Sequence, residues 1–133
     1  MTQDWCTEAD ITGLVHAFYA EVREHRTLGP IFDARIADWD IHLATMVDFW
    51  SSVLRRTGRF HGSPMVKHAV IPDLRASDFA EWLALFRTVA ARQENRAMAD
   101  TAVAAAERIA ANLWHGYQQA GALRSGAVPI NAA

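Results

Sequence analysis

The chain has 133 residues, 51% of them hydrophobic and 21% charged, with a formal net charge of −2. That length suits one domain spanning 1–133, and the slightly acidic balance argues against nucleic acid or an anionic membrane as the main partner. A single cysteine, Cys6, excludes an intrachain disulfide framework, so stability has to come from packing.

Thr7-Glu8-Ala9-Asp10 has the form of a capping box, in which side chains at the start of a helix satisfy its first N–H groups. Apolar residues then fall at Ile11, Leu14, Val15, Phe18, Tyr19 and Val22, the three- and four-residue steps of an amphipathic helix. Leu28-Gly29-Pro30 is expected to end it, followed by a connector carrying Ile31, Phe32 and Ile36. A second helix is expected from about Asp38 to Arg56, burying Trp39, Leu43, Met46, Phe49, Trp50, Val53 and Leu54. His42 lies three residues after Trp39 and four before Met46, on or beside that stripe.

Ser63-Pro64 reads as an N-cap with proline at the first helical position, and Pro72 keeps the helix it starts short. His68 lies inside this helix. Ser77 is expected to cap the next one, whose stripe is Phe79, Trp82, Leu83, Phe86, Val89 and Ala90. Asn95 starts the last, with Ala102, Val103, Ala106, Ile109, Ala110, Leu113 and Tyr117 facing inward. Periodicity stops near Gln119, so 120–133 reads as a frayed tail and the domain core as about 8–119. The 25 alanines favour helix, and no period-two strand pattern occurs. The fold class is all-α, with four substantial helices and one short one.

Several chemistries have no residues to carry them. The chain contains no Cys-x-x-Cys, His-Glu-x-x-His, Gly-x-Ser-x-Gly or phosphate-binding glycine loop. The six histidines (16, 25, 42, 61, 68 and 115) never fall three or four apart on one helix, so no helix-borne zinc pair forms. What stands out is large rings on inward faces: Phe18, Tyr19, Phe32, Phe49, Trp50, Phe79, Trp82 and Phe86. Any one alone is ordinary core. Together they bring the polar tips of Tyr19, His42 and Trp82 into an apolar interior, where each tip needs a partner. A bound polar ligand is one way to supply it.

The ordered set Phe18-Tyr19, Leu28-Gly29-Pro30-Ile31-Phe32, Trp39-x-x-His42, Phe49-Trp50, Lys67-His68 and Phe79-x-x-Trp82-Leu83-x-Leu85-Phe86 resembles the group III truncated haemoglobins. The resemblance covers roughly residues 8–119; the connector from Ile36 to Trp39 is short for the family and the tail is an addition. It implies a globin shortened to a two-over-two helical sandwich around non-covalent haem b, with His68 as the iron ligand. It further implies that Tyr19, His42 and Trp82 line the distal face as hydrogen-bond donors to a bound ligand that carries partial negative charge. Phe32, Met46, Phe49, Trp50, Phe79 and Phe86, with Trp82, become haem and pocket wall.

By that resemblance the protein binds O2, nitric oxide, carbon monoxide or peroxide, and three donors suit ligand or redox chemistry better than O2 transport. The activities implied are O2-dependent nitric oxide detoxification or peroxidase-like turnover. Either requires an external reductase, since nothing in the chain binds a flavin or nicotinamide. The N-terminus has neither a basic start nor an apolar run, and no stretch approaches the ~20 apolar residues of a membrane span, so a cytoplasmic location is expected. The competing reading is a haem-free helical module that binds a protein or an apolar ligand.

Overall fold

The computed structural model describes residues 5–121, and six α-helices form among them: α1 (Glu8–Glu24), α2 (Leu28–Arg35), α3 (Trp39–Arg55), α4 (Pro64–Ala69), α5 (Ala76–Ala90) and α6 (Arg96–Gln119). The tail expected beyond Gln119 lies outside the described residues from 122 onward.

The capping box is present. Thr7 Oγ1 accepts from the Asp10 N–H and Asp10 Oδ2 from the Thr7 N–H, both at 3.0 Å. All six stripe residues of α1 are buried.

Leu28-Gly29-Pro30 does not end this helix; it opens another. The chain leaves α1 at His25, whose extended backbone caps the helix. The His25 ring then serves α2, its Nδ1 accepting from the N–H groups of Thr27 and Leu28 at 3.1 Å each. Pro30 falls in the first turn of α2, where an N–H would lack an intrahelical partner anyway, so proline here marks a start. Gly29 serves close approach: a Cβ there would lie 2.9 Å from the Arg23 carbonyl oxygen.

On α3, Asp38 accepts from the Ile41 N–H at 3.2 Å, and Arg56 ends the helix in the left-handed region at φ 59°. Its expected stripe is covered unevenly. Trp50, Ser51 and Leu54 are buried, whereas Trp39, Leu43, Met46, Phe49 and Val53 are only half-buried. Ser63 Oγ caps α4 through the Val66 N–H at 3.3 Å. For α5 the expected Ser77 cap is corrected. The helix begins at Ala76, and the carboxylate of Asp78 reaches back to the Arg75 N–H at 2.9 Å, leaving Ser77 exposed in the first turn. The negative carboxylate also favours that end of the helix dipole. Asn95 starts α6 by accepting from the Met98 N–H at 3.0 Å, while its amide donates to the Trp5 carbonyl at 2.8 Å.

Two helical pairs make the body: α5 packs on α6 and α1 on α3, with α1 also against α5. Fully buried Ala102, Ala105 and Ala106 let α6 come close to its neighbours. The core is a run of touching rings. Phe18 meets Phe86 at 5.2 Å and Trp82 at 5.6 Å, and Phe86 stacks between Trp50 (5.1 Å) and Trp82 (5.6 Å). Each such buried side chain contributes about 1.5–3 kcal/mol of hydrophobic stabilisation. Cys6, just before α1, is sealed at 1% exposure.

At the start of α1, the Glu8 carboxylate receives Ser51 Oγ at 2.7 Å, Arg59 at 2.9 Å and Arg55, tying α1 to α3 and the loop after it. Burial alone pulls the Glu8 pKa up. The hydrogen bonds from Ser51, Arg55 and Arg59 outweigh it and hold the carboxyl below its usual range.

Candidate functional site

His68 sits near the C-terminal end of α4, a helix of six residues with none buried. Its Nδ1 lies 2.7 Å from the Pro64 carbonyl oxygen, one turn back. A carbonyl only accepts, so Nδ1 carries the proton, and in the neutral ring Nε2 keeps its lone pair.

Two features outside the expected site residues hold α4 in place. The Tyr117 hydroxyl on α6 donates to the Ile71 carbonyl at 2.5 Å and accepts from the Leu74 N–H at 3.0 Å, clamping the turn that follows His68. Met65 rests directly over Gly116, so closely that a Cβ at 116 would lie 2.1 Å from its sulfur.

Tyr19 on α1 and His42 on α3 meet edge to face at 5.0 Å. Phe32 closes on Tyr19 at 5.9 Å and Phe18 at 5.0 Å, and Phe18 in turn carries Trp82. Tyr19 is buried, which pushes its phenol pKa up and keeps it protonated. Burial, then the positive charge of Lys67, holds the His42 imidazole below its ordinary value, so it is neutral at pH 7. His42 Nε2 is buried and, among the described residues, has no hydrogen-bond partner.

The structure does not bring every expected residue to this place. Tyr19, His42, Phe32 and Trp82 form one connected group of rings. Met46 and Phe49 follow His42 along the half-buried face of α3, with Phe49 against Phe60 at 5.1 Å. Trp50 and Phe86 lie behind, stacked on one another in the core. Phe79 stands apart, against Trp114 at 5.5 Å and Tyr117 at 6.4 Å on the α6 side. It lines a shallow groove of about 220 Å³ between α5 and α6 that contains none of Tyr19, His42, Trp82 or His68. Tyr117, Met65 and Gly116 were not singled out for this site. On an apolar stripe a tyrosine reads as packing, and only its distance in sequence from Ile71 conceals its second use.

The paired helices, with a short segment carrying one oriented histidine and a connected group of rings on α1, α2, α3 and α5, define a two-over-two helical sandwich of the truncated-globin class. The fold superimposes on the crystal structure of a group III truncated haemoglobin from Campylobacter jejuni with a TM-score of 0.76 and 30% sequence identity, over 81% of this chain and 88% of that one. The chain is also 35% identical over 83 residues to the group 3 truncated haemoglobin ctb of the same species. That alignment spans 59% of this chain and 65% of the relative's length. No family model matches the sequence. The chain belongs to the truncated haemoglobin family, its likeness being to group III. Among the described residues, no helix is long and apolar enough to cross a membrane.

Proposed function

We propose that the chain binds haem b non-covalently through His68 and takes up O2, nitric oxide, carbon monoxide or peroxide beside Tyr19, His42 and Trp82. Its use is ligand and redox chemistry, as a nitric oxide dioxygenase or peroxidase-like protein fed by an external reductase, in preference to O2 transport. The observation that carries this reading is His42 Nε2, a buried polar atom with no hydrogen-bond partner among the described residues. Such an atom costs roughly 1–3 kcal/mol unless something polar meets it.

The residues present fit the group. A lone imidazole suits iron whose equatorial positions a macrocycle fills. The hydrogen bond from His68 Nδ1 to Pro64 fixes the ring's tautomer and orientation, leaving Nε2 as the ligating atom. The half-buried apolar face of α3, with Met46 and Phe49, offers an apolar wall to a flat hydrophobic ligand. Phe32 and Trp82 extend that wall, with Trp50 and Phe86 supporting it from behind, while Phe79 stands away from it on the α6 side.

When bound, haem b supplies an iron centre that holds a small diatomic ligand and exchanges electrons. The protein's own part is electrostatic. Tyr19 keeps its phenolic proton because burial disfavours the phenolate, so it serves as a donor across the neutral range. His42, held neutral, has one nitrogen to donate and one to accept, and Trp82 has an indole N–H that only donates. Donors fixed in a water-poor space stabilise developing negative charge more than the same groups do in water. Surrounding apolar rings keep that space dry.

The test is spectroscopic. The purified protein, supplied with haem, should show a Soret band, and His68→Ala should lose haem or lose the ferrous histidine–iron signal. An unaltered signal in His68→Ala overturns the ligand assignment. No Soret band in the parent overturns the haem reading in favour of a haem-free helical module.

A further inference from the structure

We infer that Trp39 is a positioning residue that holds His42 turned toward Tyr19, and that Asp33 and Arg23 lock Trp39 in that task. Three rings close a triangle at the start of α3. His42 meets Tyr19 at 5.0 Å and 89°, Trp39 meets His42 at 5.6 Å and 87°, and Trp39 lies 6.0 Å from Tyr19. The imidazole is therefore wedged edge to face against two larger rings, with its Nε2 held in the interior.

Trp39 is itself pinned from two other helices. Its indole N–H donates to Asp33 Oδ1 on α2 at 3.2 Å, and the Arg23 guanidinium on α1 lies 4.6 Å from its ring centroid. Cation–π contact and edge-to-face packing are each modest, but both are directional and both depend on the plane of the indole. Residues of α1 and α2 thus converge on one ring of α3 whose aromatic contacts are Tyr19 and His42. Nothing in the helical role of Trp39 requires this, because Asp38 already caps α3. The arrangement makes sense as a latch on an imidazole that would otherwise be free to turn outward about its own side-chain bonds. By this argument Trp39 sets the fraction of time that His42 stands inside, and with it the rate at which small ligands enter.

The proposal rests on the haem reading, and its test separates the two. Carbon monoxide association would be followed after flash photolysis of the ferrous holoprotein for Trp39→Leu, in the parent and in a His42→Leu background. Loss of an aromatic contact corresponds to a change of about 2- to 12-fold, so association should speed up by that factor in the parent. In the His42→Leu background it should not change. Arg23→Gln and Asp33→Asn, both at exposed positions, should give smaller increases and cover the case in which Trp39→Leu folds poorly. In the haem-free protein, Trp39→Leu should move the His42 ring-proton resonances toward those of a free imidazole. Equal acceleration with and without His42 would make Trp39 a simple steric wall, and that result overturns the proposal. So do unmoved His42 resonances, a readout that stays decisive even if no variant takes up haem.

Discussion

Helix α1 and helix α4 sit on the same molecule and are held by different physics. α1 buries six side chains in the ring-packed core, and its N-terminus is closed by a full capping box. α4 buries none. It is held by a serine cap, the two hydrogen bonds of the Tyr117 hydroxyl and one methionine seated on a glycine. Hydrophobic burial is strong and non-directional, whereas hydrogen bonds are weaker in net terms but fix orientation. The difference teaches that the fold's stability and the aim of His68 come from separate sets of residues. They can therefore be broken separately.

The largest effect should come from the core. Phe86→Ala removes a ring stacked between Trp50 and Trp82 and should cost about 3–5 kcal/mol of unfolding free energy in urea. The loss should appear with or without haem. A cost confined to the haem-bound form would mean that this cluster is part of the pocket and not of an independent core.

Tyr117→Phe keeps the ring and removes both hydrogen bonds to the turn after α4. A loss of about 1–3 kcal/mol is expected, since the Ile71 carbonyl and Leu74 N–H lose their partner. Hydrogen exchange at the Leu74 amide should accelerate more than exchange in α1. Equal acceleration in both would show that α4 and the core open together.

Gly116→Ala should change global stability little, within about 1 kcal/mol, because alanine is the better helix former by a similar amount. Its Cβ must nevertheless displace Met65, so α4 should shift and haem affinity should fall. Met65→Ala in the same chain should restore that affinity. Failure of the rescue would show that Met65 does not locate α4.

The smallest effect should be the acid dependence of the Glu8 link. The folded-state pKa of Glu8 is depressed, so its stabilisation is present above the unfolded value of about 4.5 and is lost as pH falls through the folded one. Its half-open setting screens the interaction. Glu8→Gln should flatten the fall in urea midpoint between about pH 5 and pH 3, and an unchanged acid limb would assign that fall to other carboxylates.

Local signals were legible wherever one residue decides the outcome. Thr7, Asp38, Ser63 and Asn95 all cap the helices they precede, and the stripe of α1 is buried as its spacing requires. Errors arose where two readings compete for the same residues. Gly-Pro after a helix can end it or begin another, and the His25 ring, which decides the matter here, lies three residues outside the motif. Ser77 and Asp78 compete to start α5, and the carboxylate wins by reaching back to Arg75. The rings of the candidate site were readable as inward-facing because helical spacing assigns faces. Which of them meet was not, because Phe79 and Trp82 are one turn apart on α5 yet touch different helices, one against Trp114 on α6 and the other against Phe18 on α1. Contacts such as Tyr117 with Ile71 depend on how α6 returns past α4, which no local pattern encodes.

Cys6 turns this division into something that can be timed. It is the chain's single thiol, it is sealed at 1% exposure, and burial pushes its pKa up, so the folded protein offers almost no thiolate to a disulfide or alkylating reagent. Each molecule consequently carries one chemical stopwatch, started only when the packing around the segment before α1 opens. At low reagent concentration the labelling rate reads how often that opening is populated, and at high concentration how fast it occurs. The stopwatch sits in the core half of the molecule, so its rate should be indifferent to changes at α4 that leave the core intact.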